Sequence, residues 1–363
     1  MRRHPTILIG AAVALAMTAA SVSEAAACTR AVYVGDDGLV ITGRSMDWSE
    51  DMHTNLWAFP RGIARDGAAG KGSPQWVSKY GSVIAAGYDI GSSDGMNEAG
   101  LVANLLYLAE SDYGEASGKP AISISLWAQY VLDNFATVAE AVDALGKEPF
   151  VIIAPKLPNG QGAQLHLAIS DATGDSAIFE YIGGKLIIHH GKDYTVMTNS
   201  PSFDQQLALD AYWKGIGGLT FLPGTNRAAD RFVRASFLIN AIPKKADPAY
   251  ITAVPDQNFA YQAAASVLGV MRSVSVPLGI TTPGQPNISS TLWRTVSDQT
   301  DKIYYFDSAT SPNGFWVPLA DLDLKEGAPV KKLTVAGGKV YSGNAADKFV
   351  ATPSFTFMPS TGM

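Results

Sequence analysis

The chain has 363 residues, 47% of them hydrophobic, enough to bury a large core, and its net charge of −6 carries no basic patch of the kind nucleic-acid binding needs. Charged residues make up only 17%, while 35 glycines and 20 prolines point to many turns and a strand-rich body. A lone cysteine excludes an intramolecular disulfide, and the histidines show neither H-E-x-x-H spacing nor a cysteine cluster beside them, so no metal site is expected.

The first element is a leader. Arg2 and Arg3 precede a nearly unbroken apolar or small stretch from Ile7 to Ala20, and Ala25-Ala26-Ala27 fits a small-x-small cleavage site. Residues 1–27 are therefore expected to be a signal peptide, with export to the periplasm or medium and residues 28–363 forming one domain. The apolar run is shorter than a membrane span requires, and none of spanning length follows, so no stable membrane anchor is expected. Cys28 would become the first residue of the exported chain. A cysteine there suits either lipid attachment, as in an envelope binding protein, or an N-terminal nucleophile whose freed α-amine acts as base. Ala25 stands where a lipidation signal usually has Leu, and Thr29 onwards reads as a strand, not a polar linker, which favours the nucleophile.

Residues 29–34 and 39–44 read as strands joined around Asp36-Asp37-Gly38, a hairpin signal. A two-residue loop at Asp37-Gly38 sets Cys28 opposite Asp47; one at Asp36-Asp37 sets it opposite Ser45. Either way Arg44 to Asp47 return beside Cys28. Residues 82–88 and 100–108 are predicted strands around a turn at Gly91 to Gly95. Residues 121–146 read as a helix in two pieces, with Thr137 an N-cap for the second. Strands follow at 164–170, 176–182, 185–190 and 194–199, with Gly183-Gly184 a turn. Helices are predicted at 203–215, 226–240 and 257–271, and strands at 291–297 and 302–306. Blocks of strands, then helices, then strands indicate an α+β layered protein.

A cysteine nucleophile needs a base, a favoured thiolate and an oxyanion site. An α-amine titrates at about 7.7–8.0 and can take the thiol proton near neutral pH. Arg44 would favour the thiolate, and Asp47 could orient the amine. The stretch Cys28-Thr29-Arg30, with Arg44-Ser45-Met46-Asp47-Trp48, resembles the start of the choloylglycine hydrolase family. The resemblance continues through Asp94-Gly95-Met96-Asn97-Glu98-Ala99-Gly100-Leu101, Thr198-Asn199-Ser200-Pro201, Asp230-Arg231-Phe232-Val233-Arg234 and Trp293 to Tyr305, in the family's order.

The resemblance implies a four-layer αββα sandwich of the N-terminal nucleophile hydrolase type. It matches Cys28 to the nucleophile and Arg44 and Asp47 to the residues flanking its thiol and amine. Asn199 matches the oxyanion amide and Arg231 the active-site arginine. A second oxyanion donor falls on the backbone of Leu106 or Tyr107, with Leu106 preferred. Trp48 and Tyr107 are candidate substrate contacts. The Asp-Trp pair at 47–48 is similar to that of secreted Gram-negative penicillin V acylases, which implies penicillin V or N-acyl-homoserine lactones as substrate. Conjugated bile salts are the alternative, weakened because bile-salt hydrolases usually carry Asn near position 106. No cofactor is implied; a homotetramer is. A rival pattern, G-x-S-x-G at Gly91 to Gly95, lacks the helix a serine nucleophile elbow needs, and His166, His189 and His190 form no clear acid–His pair with it.

Overall fold

The computed structural model describes residues 28–115, 118–282, 285–286 and 289–360, so the expected leader lies outside the described residues. The main strands are β1 (Thr29–Val34), β2 (Val40–Trp48), β3 (Leu56–Phe59), β4 (Ser82–Gly87), β5 (Gly91–Asn97) and β6 (Val102–Tyr107). Helices α1 (Trp127–Asn134) and α2 (Val138–Leu145) come next, then β7 (Leu165–Ser170), β8 (Ser176–Ile182), β9 (Lys185–His190) and β10 (Val196–Met197). Helices α3 (Phe203–Ile216), α4 (Ala228–Ala241) and α5 (Phe259–Ser273) precede β11 (Ser290–Asp298), β12 (Ile303–Ser308), β13 (Gly314–Pro318), β14 (Lys331–Leu333), β15 (Gly343–Asn344) and β16 (Val350–Ala351).

They form two sheets, a seven-stranded one ordered β10-β1-β2-β11-β12-β13-β15 and a nine-stranded one ordered β9-β8-β7-β6-β5-β4-β3-β14-β16. Val102 and Leu106 of β6 face the seven-stranded sheet in one core with Cys28 and Met46, and that core continues to Phe232, Ala263 and Val267 on α4 and α5. Ala103 and Leu105, of opposite parity on β6, pack instead with Trp127, Val131 and Val138 of α1 and α2. Alternation along one strand thus assigns its two faces to two cores. The order of layers is helix, sheet, sheet, helix, the expected αββα sandwich. Among the described residues no helix is long and apolar enough to cross a membrane.

The first hairpin differs from both expected registers. Gly35 N–H bonds to the Leu39 carbonyl, Val34 pairs with Val40 and Thr29 with Ser45. Asp36-Asp37-Gly38 is a three-residue loop with Gly38 at φ 84°, a left-handed position that glycine takes without a Cβ clash. Continued by one residue, this register puts Cys28 opposite Met46.

The segment Gly91 to Gly95 is also corrected: it is strand, not turn. The chain reverses earlier, at Tyr88 and Asp89, both with positive φ. A Cβ on Gly95 would stand 2.6 Å from Ile84 Cγ2, 2.7 Å from the Val83 carbonyl and 2.9 Å from Leu132 Cδ1, so glycine serves the crossing of α1 over β5. Residues 121–126 are a short strand and a 3-10 turn instead of helix, and only Val196–Met197 of the 194–199 stretch is strand. Thr137 caps α2, its side chain accepting from Glu140 N–H at 3.2 Å.

Candidate active site

Cys28 immediately precedes β1, 2% exposed, with Sγ 3.7 Å from the Asp47 carbonyl, 3.8 Å from Met46 Sδ and 3.9 Å from Arg44 Nη2. Pairing of Arg30 with Arg44 places residues of even number on one face here, so Cys28, Arg44 and Met46 point together between the sheets. Arg44 Nη2 donates to the Leu105 carbonyl at 3.0 Å and lies against Met46 Sδ at 3.4 Å, and the guanidinium stands 4.6 Å from the Trp293 ring centre. Burial pushes the Cys28 thiol above its ordinary value, and Arg44 is the largest influence pulling it back. The neutral thiol is thus favoured until a base takes its proton.

Asp47 has the opposite parity and points to the other face of β2. Its Oδ1 accepts from Thr291 Oγ1 at 2.5 Å, while Oδ2 is buried with no hydrogen-bond partner among the described residues. Burial raises its carboxyl from 3.8 to about 6, with Arg231 the largest opposing influence. The charge of Asp47 raises the Cys28 thiol, so the carboxylate stands within electrostatic reach of Cys28.

Arg231 projects from α4 with no exposure. It donates through Nη1 to the Cys28 carbonyl at 2.6 Å and to Thr29 Oγ1 at 2.5 Å, through Nε to the Asn226 carbonyl at 2.9 Å, and through Nη2 to Asn199 Oδ1 at 2.8 Å. It does not touch the thiol; it locks the main chain of Cys28 and the amide of Asn199. Because Arg can only donate, Asn199 must turn its oxygen to Arg231. Its Nδ2 then donates to the Tyr107 carbonyl at 2.7 Å and keeps a second N–H for a ligand.

The model of the linear amide C–N hydrolases, choloylglycine hydrolase family, matches residues 28–333. The chain belongs to this family. As a member it is a hydrolase of linear amide bonds. It is 47% identical over 361 residues to the penicillin V acylase of Pectobacterium atrosepticum, covering 95% of this chain and 96% of that protein. The solved penicillin V acylase from Agrobacterium tumefaciens superposes with a TM-score of 0.82 at 56% identity, over 92% of this chain and 100% of that one. The conjugated bile acid hydrolase of Clostridium perfringens, solved as a mutant of its second residue, shares the fold at a TM-score of 0.69 and 22% identity, over 87% of this chain and 98% of that one.

Two expectations for the site of this amide hydrolase are revised by geometry. Leu108 N–H donates to the Gln164 carbonyl, and Leu106 pairs with His166 in the same register, so the Leu106 N–H is turned to β7. The carbonyls of Leu105 and Tyr107 point the other way, to Arg44 and Asn199. An extended residue directs its N–H and C=O to the same side, so Tyr107, not Leu106, offers its N–H beside Asn199. Trp48, 5% exposed, does not line the cavity over Cys28. Its indole donates to Tyr88 Oη at 2.9 Å and packs edge-on to Tyr107 at 6.5 Å, backing two residues that do line it.

That cavity holds about 90 Å³ and is lined by Cys28, Met46, Met52, Tyr88, Tyr107 and Met358 among others. The G-x-S-x-G serines are bound elsewhere, Ser92 to Gln129 at 2.7 Å and Ser93 to the Ala85 carbonyl at 2.8 Å. His166 is buried between Glu180 Oε1 at 2.9 Å and the Thr198 carbonyl at 2.8 Å, so it braces the residue before Asn199. Sequence reasoning weighed His166 only as a base for the serine rival. A polar residue at an inward position of an apolar strand was the signal for it. Among the described residues no group of three or more His, Cys, Asp or Glu could hold a metal ion.

Proposed function

We propose that this hydrolase cleaves N-acyl amides through an acyl-enzyme on Cys28, with penicillin V and N-acyl-homoserine lactones as substrates. The observation that carries the mechanism is the buried Oδ2 of Asp47, without a hydrogen-bond partner among the described residues, on the strand that pairs beside Cys28. In the intact chain the Cys28 nitrogen is an amide. Removal of residues 1–27 on export makes it an amine, which pairs with Asp47 and takes the thiol proton. The thiolate attacks the acyl carbon, and the oxyanion accepts from Asn199 Nδ2 and the Tyr107 N–H. The ammonium returns its proton to the departing amine. Water, deprotonated by the same amine, then releases the acid and regenerates the thiol. The choice of penicillin V rests on the two penicillin V acylases at 47% and 56% identity, and that of N-acyl-homoserine lactones on the resemblance carried by the Asp47-Trp48 pair.

Mass measurement of the N-terminal peptide is expected to find an unmodified Cys28 first. An acylated Cys28, or a start at Ala25, overturns the mechanism. Cys28→Ser is expected to stay folded and lose most turnover, and full retained activity refutes it. Parallel assays on penicillin V, a long-chain acyl-homoserine lactone and glycocholate decide the acyl class; preference for glycocholate overturns the choice made here.

A further inference from the structure

The wall of the cavity over Cys28 is closed by a segment that comes from the far end of the chain. Met358 lines it, although the stretch that carries the family match ends at residue 333. The segment is fixed on both sides of that side chain. Phe355 and Phe357 pack on Trp57 and Phe59, with ring centres 5.1 Å apart for Phe355–Trp57 and 6.3 Å for Phe357–Phe59, and the Arg65 guanidinium stands 5.1 Å over Phe357. Met358 N–H donates to the Ile90 carbonyl at 2.8 Å, and its carbonyl accepts from Ser123 Oγ at 2.7 Å and Ser125 Oγ at 2.8 Å. Ser360 N–H donates to the Ala68 carbonyl at 2.8 Å, and its Oγ to the Ile153 carbonyl at 2.8 Å.

Four other wall residues, Met46, Met52, Tyr88 and Tyr107, are engaged elsewhere. Met46 carries the Arg44 guanidinium and the thiol, Tyr88 accepts from Trp48 and donates to Glu50, and Tyr107 bonds Gln164. Met52 fills the space where Gly87 has no Cβ, with Cε 2.9 Å from that point. Met358 differs: its backbone is pinned by hydrogen bonds, and its side chain is a flexible thioether with three rotatable bonds. The space over the thiol is about 90 Å³ and partly open, less than the ~150 Å³ that takes up a benzene ring in a closed protein core, so the wall side chains set how much of an acyl group fits beside the thiol.

We infer that Met358 is the specificity-determining wall of the acyl site, admitting a flexible chain or one aromatic ring and excluding fused-ring acyl groups. The inference rests on the acyl-enzyme reading for its biological meaning, but the cavity can be measured without hydrolysis. Cys28 is the sole cysteine, so alkyl methanethiosulfonates label it alone. The ratio of labelling rates for benzyl against methyl reagent reads the space above the thiol. In Met358→Ala this ratio is expected to rise about tenfold, the scale of one pocket methylene or more, and in Met358→Trp to fall. The kcat/KM ratio of long over short N-acyl-homoserine lactones is expected to move in the same directions. Unchanged labelling ratios in both variants overturn the inference. Shifted labelling in a protein that turns over none of these amides upholds the wall and refutes the proposed substrates, so the two failures are separable.

Discussion

Replacing Asp47 by Asn separates the catalytic use of this carboxylate from its effect on stability. In a chain that keeps one residue ahead of Cys28, no amine exists to pair with Oδ2, and the ionised group is buried without that partner. Its carboxyl is raised from 3.8 to about 6 by burial, so the folded state holds the proton more tightly than the unfolded state. Stability from this group is therefore greatest below pH 3.8 and falls as pH rises through about 6. The full difference corresponds to about 3 kcal/mol above that window, at 1.36 kcal/mol for each unit of pKa. Asp47→Asn in this blocked form is expected to be more stable than its parent by up to about 3 kcal/mol at pH 7, with the gain vanishing near pH 4. Urea unfolding of both proteins across pH 4–8 measures it, and the difference between them cancels the other buried acids. In the form that starts at Cys28 the same substitution removes the partner of the amine, and kcat is expected to fall by roughly 10²–10⁴. A blocked Asp47→Asn protein destabilised equally at both pH values would refute the account of this carboxylate.

Asn199→Ala removes one oxyanion donor and is expected to cost about 3 kcal/mol of barrier, read as a loss in kcat with little change in KM. Arg44→Gln removes the largest influence that lowers the Cys28 thiol, so the pH limb of Cys28 alkylation by iodoacetamide is expected to move to higher pH; a limb that stays in place argues against the arginine. Gly95→Ala puts a methyl 2.6 Å from Ile84 Cγ2 and 2.7 Å from a backbone oxygen, and is expected to lower stability by about 1–3 kcal/mol in chemical denaturation.

Much of the site was legible in the sequence because its parts lie near strand ends that local pattern identifies. The lone Cys28, the return of Arg44 to Asp47 beside it and the helix carrying Arg231 all follow from hairpin and helix spacing. Gly91 to Gly95 misled, because Gly, Ser and Asp are turn formers and only tertiary contacts explain them in a strand: Gly95 lets α1 pass over β5, Ser92 bonds Gln129 and Asp94 accepts from Asn104. Trp48 shares the face of Arg44 and Met46, as alternation along β2 dictates, yet it backs Tyr88 and Tyr107 instead of lining the cavity, a placement only the packing around it decides.

By itself the sequence determined that Cys28 leads into a strand, that a hairpin returns a cation and a carboxylate to it, and that strands and helices come in blocks. These are local facts, fixed by side-chain period and turn residues within short windows. The tertiary structure alone decided the rest. One residue of loop length set Cys28 against Met46 and so put Arg44, not Asp47, on the face of Cys28, since a one-residue slip inverts every side chain of a strand. The neighbour to which each main-chain N–H turns chose Tyr107 over Leu106. Contact across the whole chain brought Met358 to the cavity of Cys28, a pairing that no local pattern encodes.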